Sequence, residues 1–139
     1  PFMISVAVGS LIRYYREFPR ADIYTLIIQA VDDLIENCLM DNGLFFYKEL
    51  PSLNRLGNNP LVLESLAVAY ELTGDRKYLE AGMKTYHHVL HNMASAGGGG
   101  KRIVEDAVLV GNTGTKQFAQ TFIPVATFYK ALEKAGLLF

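Results

Sequence analysis

The sequence predicts an all-α protein in which helical hairpins pack in two layers. Apolar residues recur at helical spacing in five segments, and two of the connecting turns resemble each other. Segments that are apolar nearly all round alternate with segments that are apolar on one face only. A helix that is apolar all round needs neighbours on most sides, whereas an amphipathic helix needs them on one. The order therefore predicts inner, outer, inner, outer and inner helices.

The first predicted hairpin joins an inner helix to an outer one. Residues 2–18 carry no charge before Arg13, so apolar side chains cover almost the whole circumference of this helix. Residues 21–40 place apolar side chains at i, i+3 and i+4 from Ile23 to Leu39, with acidic residues between them. This second helix is therefore expected to be buried on one face.

The third helix is predicted over residues 60–73 and is again of the inner type. Asn59 suits the N-cap, and Pro60 suits the first helical position, where its missing N–H has no partner to lose. Only two residues of this segment are charged. We predict that Gly74 ends the helix in a left-handed conformation and that Asp75 caps the next one.

The last two helices continue the alternation. Residues 75–94 carry one apolar stripe among charged residues, which predicts an outer helix. Residues 115–135 are uncharged from Gln117 to Thr127 and precede Gly136, a residue type favoured just past a helix end. The fifth helix is therefore predicted to be inner.

An internal repeat relates the two hairpin turns. The first turn reads YREFPRADIY and begins at Tyr15, and the second reads YELTGDRKY and begins at Tyr70. Matching tyrosines are about 55 residues apart, a period typical of stacked helix pairs. The repeat supports the prediction of two concentric layers, because stacked inner helices touch neighbours on both sides.

The stretch LAVAYELTGDRKYLEAGMKTYHHVL resembles the hairpin of the α/α-toroid, or six-hairpin glycosidase-like, superfamily. In that superfamily an apolar inner helix ends in a turn of the form Y-x-x-T-G-D-x-x-Y. The resemblance covers most of the chain and implies kinship with glycoside hydrolases, polysaccharide lyases and sugar epimerases. The resemblance implies that residues 1–139 form a single helical domain, a partial toroid that is the C-terminal portion of a larger α/α toroid. Such a domain would pack against further N-terminal hairpins or associate with itself.

The two long connections, residues 41–58 and 95–114, are predicted to lie at the mouth of the ring. Long loops without their own periodicity often bind ligands, and the first loop mixes aromatic residues with amides and charges. Aromatic faces pack on sugar C–H groups, while amides and charged groups bind hydroxyls. The alternative is that the aromatics close the edge of the ring and the charges are solvated. The predicted substrate-binding residues are Tyr47, Lys48, Glu49, Asn54, Arg55, Asn58 and Asn112.

Hydrolysis of a sugar needs a pair of carboxyl groups, one as acid and one as base or nucleophile. Glu64 is one candidate because it lies in the first turns of an inner helix whose only other charged residue is Glu71. Glu105 and Asp106, in the second mouth loop, are candidates for the other. Two alternatives stand beside this hypothesis. Glu64 also suits the positive end of the helix dipole, and the loop carboxylates also fit a surface charge cluster with Lys101 and Arg102.

Several classes of ligand are not expected. The formal net charge is −1 without a basic stripe, which argues against nucleic acid, and no apolar run reaches the roughly 18 residues of a membrane span. His87 and His91 lack the glutamate of a zinc-protease helix, and Gly97 to Gly100 lack the spacing of a phosphate loop. We therefore predict no metal and no other cofactor.

Two functions are compatible with these patterns. The resemblance implies part of a carbohydrate-active enzyme, of the glycoside hydrolase or polysaccharide lyase type, with an oligosaccharide or polysaccharide as its ligand. The alternative is a non-catalytic helical-repeat scaffold that binds a protein partner, because open stacks of hairpins bind partners along their concave side.

Overall fold

A computed structural model describes residues 1–46, 60–94 and 115–138, with side chains described over 1–46, 60–90 and 121–138. These residues form five α-helices, which confirms the all-α prediction. Each helix begins and ends within two residues of its predicted bounds. The helices are α1 (Phe2–Glu17), α2 (Ala21–Cys38), α3 (Pro60–Thr73), α4 (Lys77–Ala94) and α5 (Thr115–Lys134).

Helix α3 lies at the centre of the described structure and packs against each of the other four helices. Eight of its 14 residues are buried, against four of 18 in α2. A helix with neighbours on every side has no solvent-facing stripe to fill with polar residues. This packing explains why α3 is apolar nearly all round.

Helix α1 differs from the prediction that it has neighbours on most sides. Only four of its 16 residues are buried, and it packs against α2 and α3. Met3 is 69% exposed and Phe18 is 61% exposed, with Val6 and Tyr14 also exposed. The apolar circumference of α1 therefore exceeds what the described helices cover.

The chain leaves α2 through a tight turn. Gly43 has φ +80° and its N–H donates to the Met40 carbonyl, while Leu39 and Phe45 form an isolated antiparallel bridge. The Phe45 side chain is buried in the core, and the Thr85 hydroxyl of α4 donates to the Gly43 carbonyl at 2.7 Å. The chain therefore turns at residues 41–43 and continues as a short extended piece to residue 46.

The turn between α3 and α4 is built as predicted. Gly74 has φ +72°, and its N–H donates to the Tyr70 carbonyl at 2.8 Å, which ends the helix in the left-handed conformation. The Asp75 carboxylate accepts a hydrogen bond from the Lys77 N–H at 2.9 Å and so caps α4. Both local predictions are confirmed.

Gly74→Ala should lower the free energy of unfolding by about 1 kcal/mol, because a Cβ disfavours a positive φ. A Cβ at this position would meet no atom within 4 Å, so the cost is conformational and not steric. Urea denaturation measures the change. Gly74→Asn is the control, since asparagine tolerates the left-handed region better and should cost less than alanine. Equal stability of the alanine variant and the parent protein would contradict this account of the turn.

The C-terminal ends of α3 and α5 lie close together. The Arg76 guanidinium, just after α3, donates to the Ala135 carbonyl, just after α5, at 2.8 Å. Gly136 has φ +68°, and the Leu137 N–H donates to the Leu132 carbonyl, a pattern that closes the end of α5. Helices α3 and α5 therefore run in the same direction.

Candidate functional site

A cleft of about 520 Å³ opens between helices α1, α3 and α5. Its floor is made of small or aliphatic side chains, and its walls carry charged and polar ones. Apart from Gly74 in the turn, every lining residue belongs to one of these three helices. The lining residues are Ile12, Arg13, Arg16, Glu64, Ala67, Val68, Tyr70, Glu71, Gly74, Thr127, Lys130, Ala131 and Lys134.

Helical spacing brings these side chains to one surface. On α3 the charged residues Glu64 and Glu71 are seven positions apart, which is two turns, and Ala67 and Val68 lie between them on the same face. On α5, Lys130 and Lys134 are four positions apart and therefore neighbours on that helix. The cleft thus has an apolar floor with a carboxylate towards each end of its α3 wall.

Glu64 is held in the cleft by α1. Its side chain is only 16% exposed, and Arg13 Nη2 lies 3.3 Å from its Oε1. Arg13 also donates to the Gly9 carbonyl. A Cβ at Gly9 would lie 3.3 Å from Glu64 Oε2, so the absence of a side chain there lets the carboxylate approach α1 closely.

A second ion pair joins the same two helices nearer their C-terminal ends. Arg16 Nη2 lies 2.7 Å from Glu71 Oε2, and both side chains are substantially exposed. These residues are 55 positions apart, which matches the period of the turn repeat. Because the pairs Arg13–Glu64 and Arg16–Glu71 advance together, α1 and α3 run in the same direction.

The cleft carries more positive than negative charge. Four cationic side chains line it, against the carboxylates of Glu64 and Glu71. Each carboxylate is already paired with an arginine. Lys130 and Lys134 form no ion pair with any described residue. The α5 wall is therefore the part of the cleft whose positive charge has no ion-pair partner within the described part of the chain.

The tyrosines of the repeated turns are part of the packing between helices. The Tyr78 side chain is buried, and its hydroxyl donates to Asp32 Oδ1 at 2.9 Å, which ties α4 to α2. Burial, and then this hydrogen bond, raises the pKa of Tyr78 above its ordinary value. Tyr15 and Tyr24 pair their rings at 6.3 Å in the first hairpin. Tyr15, Tyr24 and Tyr78 are thus explained by packing, whereas Tyr70 and Glu71 of the second turn line the cleft.

Among the predicted site residues, only Glu64 falls within the described part of the chain, and it lines the cleft. The structure gives Glu64 a partner on α1, so its position is explained by more than the dipole of its own helix. The predicted catalytic residues Glu105 and Asp106 lie outside the described residues. So do the predicted substrate-binding residues Tyr47, Lys48, Glu49, Asn54, Arg55, Asn58 and Asn112.

The charged residues of α1 and α5 in the cleft, Arg13, Arg16, Lys130 and Lys134, were not among the predicted site residues. One signal was available for α1. The repeat period places Arg16 opposite Glu71 and Gly9 opposite Glu64, and both pairs are neighbours in the structure. No corresponding signal exists for Lys130 and Lys134, because the turn repeat does not extend to α5.

Metal ions and membranes are two further classes of ligand. The described residues contain no group of three or more His, Cys, Asp or Glu side chains able to hold a metal ion. None of their helices combines the length and the apolar character required to cross a membrane. A smaller groove of about 350 Å³ lies between α2 and α4 and includes Asp41, Glu80 and Lys84.

Comparisons with protein-family models, with curated proteins and with solved structures found no match to this chain. An assignment of function therefore depends on the cleft and on the resemblance of the turn motif.

Proposed function

We propose that the chain is part of a carbohydrate-active enzyme of the α/α-toroid type, a glycoside hydrolase or polysaccharide lyase. The observation that carries the proposal is the cleft, which combines an apolar floor with charged walls and a largely buried carboxylate, Glu64. Apolar surface suits the C–H faces of a sugar ring, and the charged groups suit its hydroxyls. An oligosaccharide or polysaccharide is the proposed ligand.

The arrangement of the helices supports the two-layer part of this proposal. The three helices predicted to be inner, α1, α3 and α5, supply the walls of the cleft, whereas α2 and α4 supply no lining residue. Helices α1 and α3 run in parallel with a register equal to the repeat period, as successive inner helices of a toroid would. We therefore propose that the cleft is the concave side of a partial toroid.

In this proposal Glu64 is one member of the catalytic pair. Arg13 and the gap left by Gly9 hold its carboxylate at the α1 wall. Glu105 or Asp106, from the loop that precedes α5, is the proposed second member. Glu71 is an unsuitable partner, because two helical turns separate its Cα from that of Glu64 by about 10 Å along the axis and Arg16 pairs with it. The loop residues from Tyr47 to Asn58 and Asn112 would then contact the bound sugar.

The proposal is tested by NMR titration of the protein with a panel of neutral and acidic oligosaccharides. We expect a ligand to shift the amide signals of Ala67, Val68 and Thr127 together with those of both mouth loops. In a hydrolysis or elimination assay with that ligand, Glu64→Gln should lower turnover by about 100-fold or more, because one acid–base group is removed. Glu36→Gln is the control, since Glu36 is an exposed carboxylate on α2 outside the cleft.

A non-catalytic scaffold is the second candidate, and the exposed apolar side chains of α1 favour it. A protein partner, a second copy of this chain included, would be expected to cover Met3, Val6, Tyr14 and Phe18. The same titration separates the two functions. If no saccharide shifts the cleft signals, and the signals of these α1 residues broaden as the protein concentration rises, the enzyme proposal is wrong and the scaffold replaces it.

A further inference from the structure

We infer that the cleft selects an acidic saccharide, one that carries a carboxylate on the sugar ring, and that Lys130 and Lys134 bind that carboxylate. The inference rests on the proposed function, because it names the class of sugar that the same cleft would bind. In this inference the α5 wall recognises the sugar carboxylate, whereas the proposed catalytic pair gives Lys130 and Lys134 no role.

The two walls of the cleft differ in whether their cationic side chains form ion pairs. On the α1 side, Arg13 and Arg16 each have a carboxylate of α3 within 3.3 Å, so their charge is already balanced. On the α5 side, Lys130 and Lys134 have no such partner among the described residues. An incoming anion would therefore meet the two lysines without displacing an existing ion pair.

The position of Lys130 argues for a role beyond the stability of α5. Lys134 lies in the last turn of α5, where a cation interacts favourably with the helix dipole. Lys130 lies one turn earlier, beyond the region in which that effect is strong. Both side chains are exposed at the cleft and lie four positions apart, so two ammonium groups can approach one carboxylate.

The net charge of the whole chain does not favour the binding of anions, so selectivity for an acidic sugar has to arise within the cleft. The formal net charge is −1, so general attraction does not draw anions to the protein. A preference for an acidic sugar must then come from the cleft. Such a preference should weaken with added salt, because the lysines are exposed to solvent.

The test compares three ligands of equal length by NMR titration and calorimetry: a neutral oligosaccharide, an oligouronate and its methyl ester. The oligouronate should bind about tenfold more tightly than the other two, as expected for charge-assisted hydrogen bonds. The double variant Lys130→Gln/Lys134→Gln should remove this difference, so that it binds the oligouronate no more tightly than it binds the neutral ligand. Lys84→Gln, on α4 and outside the cleft, is the matched control and should retain the full difference.

The outcomes separate this inference from the proposed function. Equal binding of all three ligands, or an acidic preference that survives in the double variant, overturns the inference and leaves the carbohydrate proposal standing. If none of the three ligands shifts the cleft signals, both are overturned. If the double variant loses the preference for the oligouronate and Lys84→Gln keeps it, both the inference and the proposed function are supported.

Discussion

Phe128→Ala should lower the free energy of unfolding by about 3–5 kcal/mol, the largest loss that we expect from a single truncation in this chain. Phe128 lies on α5 and is fully buried, at 0% exposure. Its ring packs 5.4 Å from that of Tyr86 on α4 and close to Leu66 and Gly82. Removing the ring leaves a cavity where three helices meet, and the surrounding helices can close it only in part.

Chemical denaturation followed by circular dichroism measures this loss. Phe122→Ala is the matched control, because it removes the same side chain from the same helix at a position that is 60% exposed. We expect the control to cost less than about 1 kcal/mol. Similar losses in the two variants would show that α5 does not pack through its Phe128 face.

Gly82→Ala should also destabilise the protein, although alanine is normally the better helix residue. A Cβ at Gly82 would lie 2.6 Å from the Cε2 and Cζ atoms of Phe128 and 2.9 Å from Cδ1 of Leu66. Overpacking of this kind lowers the free energy of unfolding by about 1–3 kcal/mol, and the better helix propensity of alanine offsets only about 1 kcal/mol of that loss. Glycine at this position therefore lets α4 approach α3 and α5 closely.

A double-mutant cycle distinguishes the steric explanation from any other. Leucine in place of Phe128 lacks the two ring atoms that a Cβ at Gly82 would meet. In a Phe128→Leu background, Gly82→Ala should consequently cost much less than in the parent protein, or become stabilising. If alanine at this position costs the same in both backgrounds, the contact with Phe128 is not the cause.

This junction also affects the proposed site. Phe128 lies on α5 between Thr127 and Lys130, which line the cleft, and its ring anchors that helix against α3 and α4. Variants that loosen the junction should therefore weaken ligand binding even though Phe128 does not line the cleft. The variants of Lys130 and Lys134 act at the cleft itself and should leave stability nearly unchanged.

The helices could be predicted accurately because their signals are local. Pro60 suits the start of α3 through its fixed φ and missing N–H. Gly74 at the end of α3 and Gly136 after α5 act through a positive φ and backbone hydrogen bonds within a few residues. The candidate site was less predictable. Glu64 could be selected as one of only two charges on an apolar helix, but its partner Arg13 lies 51 positions away.

The contrast between α1 and α3 shows where composition alone is insufficient. Both helices are apolar nearly all round, yet α3 packs against four helices and α1 against two. The composition of a helix indicates how much apolar surface it can bury. Its packing against the other helices determines how much of that surface is buried within this chain. Because α1 has fewer neighbours, its side chains Met3 and Phe18 are exposed.

The helical class, the helix bounds and the turns at Gly74, Asp75 and Gly136 were predictable from the sequence, because hydrogen bonding and periodicity within a segment suffice for them. Only the packing of the helices shows which charges meet in the cleft and that Gly82 lies against Phe128. It also shows that α5 supplies two lysines with no ion-pair partner among the described residues. These features depend on the register and direction of helices that are far apart in the chain. A shift of one turn between two helices would change every such contact without altering the pattern of either helix.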